Sequence, residues 1–60
     1  MKDFITIQDV SGATHVIFTR YITNLTIQKG TAKIHINSGA TSMTVHTSLT
    51  IKDVLDLIVT

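Results

Sequence analysis

The chain has 60 residues, with five Lys or Arg against four Asp or Glu, three His, no Cys and no Pro. That length allows one domain with one small core, burying only about 60% of the unfolded chain's surface. The absence of cysteine excludes disulfides and thiolate metal sites, and the scattered cations Lys2, Arg20, Lys29, Lys33 and Lys52 exclude strong non-specific nucleic-acid binding by one protomer.

A small domain without a covalent or metal staple depends on close packing or on association. Homo-oligomerisation, as a dimer or a ring, is the expectation. Met1-Lys2-Asp3 leads straight into a strand-like run, and no apolar run exceeds the length of Leu57-Ile58-Val59. No targeting segment or membrane span is predicted, and a cytoplasmic location is expected.

Twenty-five of the 60 residues are Ile, Val or Thr, β-branched side chains that suit a pleated surface. The three glycines fall in Ser11-Gly12, Lys29-Gly30 and Ser38-Gly39. Each pair separates β-like runs and predicts a two-residue hairpin loop. The predicted fold is α+β and mostly β: a five-stranded antiparallel meander over about 3–10, 13–19, 21–28, 31–37 and 40–47, with one C-terminal helix over 51–59. The junction near Arg20 has no turn residue, so a bulge or bend is expected there.

Ile51, Val54, Leu55 and Ile58 fall on one face of the helix. Thr50 is the expected N-cap, with Asp53 completing a capping box and Leu49 and Val54 forming a hydrophobic staple. Leu57 lies off this stripe and is a candidate subunit contact.

Two-residue loops fix the expected registers. Leu25 pairs with Ile34 and Ile27 with Ala32; Met43 then faces Ile34, and Val45 faces Ala32. One face of strands three to five carries Tyr21, Leu25, Ile27, Ala32, Ile34, Ile36, Met43 and Val45, with the helix as its cover. The opposite face carries the rows Asn24–His35–Ser42, Thr26–Lys33–Thr44 and Gln28–Thr31–His46. Asn24, Thr26, Lys33, His35, Ser42 and Thr44 are the candidate ligand-binding residues for a small polar or anionic, nucleotide-like molecule. A solvated sheet face has the same polarity.

In the first hairpin, Ile5 and Ile7 are expected opposite Phe18 and Val16 on one face. Phe4, Val10 and Ile17 lie on the other, joined by Ile22. A hairpin that is apolar on both faces must be covered on both. Phe4, Ile17, Ile22 and Leu57 are therefore the candidate oligomer interface.

No enzyme chemistry is predicted. His35 is expected opposite Ser42, with His46 about 13 Å further along the strand, too far to share a metal whose ligands lie about 2 Å away. His15 is placed opposite Gln8. Ser42 next to His35 lacks an orienting carboxylate for a triad. Asp3, Asp9, Asp53 and Asp56 form no pair in a cleft, and no phosphate-cradling glycine motif is present. Neither a metal nor a cofactor is expected.

Tyr21-Ile22-Thr23-Asn24-Leu25-Thr26-Ile27, Ile34-His35-Ile36-Asn37-Ser38-Gly39, Val45, Ser48-Leu49 and Asp53-Val54-Leu55-Asp56-Leu57-Ile58 form a β-meander-plus-helix pattern. It resembles the FlbD-type small proteins of flagellar and swarming motility, which implies an accessory, non-catalytic role. Residues 20–58 also look like the first half of a LytTR DNA-binding domain. The DNA-contacting loops of that family belong to strands beyond this half, so the resemblance transfers no DNA-contacting residue.

The expected function is a non-enzymatic, homo-oligomeric binding or accessory module. Its partner is a protein or a small polar or anionic ligand, held by sequestration. The alternative is a nucleic-acid-binding regulator that gathers Arg20, Lys29 and Lys33 into a stripe by oligomerising.

Overall fold

The computed structural model describes residues 2–59. Five strands precede one helix: β1 (Phe4–Gln8), β2 (Thr14–Phe18), β3 (Ile22–Gln28), β4 (Thr31–Asn37), β5 (Ser42–His46) and α1 (Ile51–Val59). The expected class and order of elements hold. The strands are shorter than expected at most ends, and they divide into two antiparallel sheets, β1-β2 and β3-β4-β5. The break falls near Arg20. There Thr19–Tyr21 form a single 3-10 turn, followed by a register shift between Ile22 and Asn24.

The β3–β4 hairpin has the loop its sequence calls for. Gln28 pairs with Thr31, and Lys29 and Gly30 both take positive φ, 55° and 81°. That is the type I′ geometry whose twist matches the flanking strands. Leu25 consequently lies opposite Ile34, and Ile27 opposite Ala32, as expected.

The β4–β5 connection is longer than two residues. Asn37 pairs with Ser42, so Ile34 faces Val45 and Ile36 faces Met43, two positions from the expected register. Because side chains alternate with a period of two, a shift of two leaves every residue on its expected face.

The β1–β2 connection is also longer, and here the shift is one position. Gln8 pairs with Thr14, Ile7 with His15, Ile5 with Ile17 and Phe4 with Phe18. The face assignment of β2 is therefore inverted. Ile17 turns inward beside Ile5 and Ile7, and is only 4% exposed. Val16 and Phe18 turn outward beside Thr6 and Phe4.

Both sheets and the helix close on one core: Ile5, Ile7 and Ile17 from the hairpin, Ala32, Ile34 and Val45 from the larger sheet, and Val54 and Ile58 from α1. Burying one such aliphatic side chain contributes on the order of 1.5–3 kcal/mol. Among the described residues Thr47 is the buried polar one. Its hydroxyl donates to the Ala32 carbonyl at 2.7 Å and accepts from the Leu49 N–H at 3.3 Å. The helix starts as expected: Asp53 N–H donates to Thr50 Oγ1 (3.2 Å), and Thr50 N–H returns to the Asp53 carboxylate (3.5 Å).

Its buried stripe is rotated from the expected one. Leu55 is exposed, while Leu57 packs against the core beside Val54 and Ile58. The cause is β1, which flanks the helix. Lys2 N–H donates to the Ile58 carbonyl at 3.0 Å, and Leu57 stands beside Lys2–Thr6.

Candidate functional site

Strands β3, β4 and β5 turn one face to the helix and the first hairpin, and the other face outward. The outer rows follow from the registers. Asn24, His35 and Thr44 form one, Thr26, Lys33 and His46 the next, with Gln28 beside Thr31 at one end and Asn37 beside Ser42 at the other. Ser42 and Thr44 each sit one row from their expected places. All six expected ligand-binding residues remain on this face.

His35 is the centre of the arrangement. Its Nε2 lies 2.9 Å from Thr26 Oγ1, and its Nδ1 lies 3.2 Å from Thr44 Oγ1. The imidazole thus spans from β3 to β5 over β4, with a hydroxyl on each ring nitrogen. A neutral ring donates from one nitrogen and accepts at the other, and a threonine hydroxyl serves either role.

The bulge next to this row has its own use. The Thr23 hydroxyl lies 2.9 Å from Asn24 Oδ1 and 3.2 Å from the His35 carbonyl. That contact holds the Asn24 amide oxygen, leaving its NH2 group for another acceptor.

Asn24, His35, Ser42 and Thr44 line a shallow depression of about 330 Å³, completed by Thr23, Asn37 and the apolar Ile36 and Met43. Thr26 touches it through His35. Lys33 stands in the adjacent row, half-buried. Between Ile22 and His46 the chain carries Lys29 and Lys33 and no Asp or Glu. That stretch of sequence carries positive charge although the whole chain is nearly neutral.

His46 lies opposite Lys33, a single diagonal step from His35 rather than the longer separation expected. The two histidines are neighbours, yet among the described residues no group of three or more His, Cys, Asp or Glu is placed to hold a metal. Asp9 and His15 meet elsewhere, in the first hairpin, with 2.6 Å between Oδ2 and Nε2. His15 faces Ile7, not Gln8 as expected.

Asp9 also shapes that hairpin's loop. Its Oδ1 accepts from the Ser11 hydroxyl (2.6 Å), the Ser11 N–H (2.9 Å) and the Ala13 N–H (3.1 Å). The Ser11 hydroxyl and then His15 hold its carboxyl well below the usual carboxylate range against an opposing desolvation, and the Ala13 and Ser11 N–H groups lower it further.

The expected interface residues separate. Phe4 is half exposed, at 50%. Ile22 and Leu57 are half-buried and pack against the core. Ile17 is a core residue, so its placement on an exposed face is corrected: the one-residue shift in register moved it inside. Phe18 and Val16, 48% and 60% exposed, occupy the surface it was expected to share.

An aromatic cluster that sequence reading missed surrounds Phe18. Its ring packs edge-to-face with Phe4 and with Tyr21, at 6.4 Å between centroids in both cases. The Arg20 guanidinium lies over both Phe18 (5.6 Å) and Tyr21 (4.9 Å). The available signal was the run Phe18-Thr19-Arg20-Tyr21, whose geometry depends on the 3-10 turn.

Comparison of the chain with family models, curated proteins and solved structures finds no match. Among the described residues no helix is long and apolar enough to cross a membrane.

Proposed function

We propose that the chain is a non-catalytic, homo-oligomeric binding module whose outer β3-β4-β5 face takes up a small anionic, nucleotide-like ligand and sequesters it without turnover. The observation that carries this reading is the Asn24–His35–Thr44 row above a 330 Å³ depression, in a stretch of chain with two lysines and no carboxylate. An anion meets there the Asn24 amide NH2 and several hydroxyls, beside the row that carries Lys33. Hydrogen bonds to a charged acceptor are about twice as strong as neutral ones. Neither a nucleophile–base pair nor a metal group contributes to this reading.

A ligand bound only by the folded state raises the melting temperature. Thermal-shift measurements with inorganic phosphate and with nucleoside mono-, di- and triphosphates are the direct test. At least one nucleotide is expected to raise Tm, with the gain lost in Lys33→Ala and in Asn24→Ala. A flat response across the series retires the ligand reading.

A second reading has its own support in the Arg20–Phe18–Tyr21 cluster, since aromatic rings beside a guanidinium stack with unpaired bases. Binding of single-stranded RNA or DNA that weakens steeply with salt, and is lost in Phe18→Ala, would favour a nucleic-acid regulator instead. The third kind of partner, another protein, is supported by the exposed apolar side chains of the first hairpin.

A further inference from the structure

The backbone of the first hairpin identifies which of its polar groups are already used. Thr19 N–H donates to the Asp3 carbonyl at 3.0 Å, and Asp9 N–H to the Ala13 carbonyl at 2.9 Å. In the intervening register of Ile5 with Ile17 and Ile7 with His15, the odd-numbered residues therefore exchange the ladder bonds. The N–H and C=O groups of Thr14, Val16 and Phe18 point away from β1. Among the described residues β2 has no other sheet neighbour.

The other open edges are obstructed. On β1 the outward donors at both ends are taken: Lys2 N–H by the Ile58 carbonyl (3.0 Å) and Val10 N–H by the His46 carbonyl (2.9 Å). That second bond also occupies the end of β5. The β3 edge is broken by its register shift at Ile22 and Asn24. Natural edges are guarded by charge, proline or a bulge. β2, Thr14-His15-Val16-Ile17-Phe18, has none of these, and its inward-facing His15 is held by Asp9.

We propose that β2 pairs antiparallel with β2 of a second copy about a two-fold axis at Val16, joining two hairpins into one four-stranded sheet. This deepens, and rests on, the homo-oligomeric reading above. The edge is self-complementary: Val16 meets the partner's Val16, and Thr14 meets the partner's Phe18. All three outward-pointing residues find outward-pointing mates, as an isologous contact requires. The Val16 side chain, 60% exposed in one protomer, gains a cross-strand apolar neighbour.

Charge selects the antiparallel direction. Arg20 follows one end of β2, and the loop with the Asp9 carboxylate precedes the other. An antiparallel pair brings each Arg20 toward the partner's loop, whereas a parallel pair would bring the two arginines together. The outer β3-β4-β5 face takes no part and stays open to ligand.

Sedimentation velocity over a micromolar concentration series, with circular dichroism as the folding control, tests this on the full chain. Val16→Pro removes an outward donor and leaves the ladder to β1 intact, a tolerated use of proline on an edge. Wild type is expected to sediment as a dimer. V16P should keep the wild-type spectrum and dissociate at least about tenfold more readily, the equivalent of about 1.4 kcal/mol. Thr6→Pro, which removes an outward donor of the bracketed β1 edge, should remain dimeric.

Val16→Lys decides the matter if V16P fails to fold. It places like charges face to face at the axis, and its dimer should weaken at low salt and recover at high salt. Wild type that stays monomeric throughout overturns the oligomeric reading and this inference with it. An assembled wild type unaffected by both Val16 variants, or broken by T6P instead, overturns the β2 pairing alone.

Discussion

The β1–β2 and β3–β4 hairpins both place a glycine between two β-branched runs, yet their loops are built on different principles. In β3–β4 the backbone decides. Lys29 and Gly30 adopt the two left-handed conformations that close a two-residue loop, and the register follows. In β1–β2 a side chain decides. The Asp9 carboxylate gathers the Ser11 hydroxyl and the Ser11 and Ala13 N–H groups, and Gln8 Nε2 donates to the Gly12 carbonyl at 3.0 Å. The loop widens to residues 9–13. A loop set by local dihedrals can be read from two letters, whereas one set by side-chain hydrogen bonds needs the positions of several groups at once.

The sharpest way to break this comparison is the core. Ile17→Ala, in the hairpin whose loop is organised by Asp9, is expected to cost about 2–5 kcal/mol, as is Ile34→Ala in the larger sheet. Val16→Ala should stay near 0.5 kcal/mol, the range of surface changes. Urea unfolding measures all three. A costly Val16→Ala beside a mild Ile17→Ala would restore the register with a two-residue loop.

Thr47→Val comes next. It removes a hydroxyl that bridges the Ala32 carbonyl and the Leu49 N–H inside the core. The expected loss is about 1–2 kcal/mol, with hydrogen exchange at Leu49 accelerated. An equally stable variant would mean that the bridge contributes nothing beyond its packing.

Gly30→Ala probes the backbone-set loop. The added Cβ meets no atom within 4 Å, so the cost is conformational only, about 1 kcal/mol for the left-handed region. Gly12 has a similar φ and an equally open surround, so Gly12→Ala should cost the same. A much larger loss there would show that the Asp9 network also depends on Gly12.

Asp9→Asn gives the smallest effect and a signature in pH. The Asp9 carboxyl titrates below its ordinary range in the folded chain. Its contribution is therefore fully present above about pH 4, where an unfolded carboxylate is ionised, and is lost as pH falls toward the depressed folded value. The stability of wild type should fall more steeply than that of D9N as pH is lowered from 5. Parallel profiles would remove Asp9 as an electrostatic organiser of the loop.

Much of the candidate site was legible in the sequence. The polar face needed only alternation along β3, β4 and β5, and the two-position shift of β5 left Ser42 and Thr44 on the expected side. The Thr50–Asp53 capping box was likewise readable, because both partners lie within one helical turn. The contact of His35 with Thr26 and Thr44 was not, since it joins three strands and depends on the true β4–β5 register. Nor was the aromatic cluster, which the Thr19–Tyr21 turn assembles.

By itself the sequence determined the strand and helix content, the tight Lys29–Gly30 loop, and a long stretch rich in hydroxyls and free of acid. Those depend on dihedral preference, periodicity and composition, which act over a few residues. Tertiary structure alone decided that Ile17 is core and Val16 surface, that Leu57 rather than Leu55 faces inward, and that the meander breaks into two sheets. Each of these outcomes turns on which elements compete for one small core, and that competition is settled only when hairpin, sheet and helix pack together.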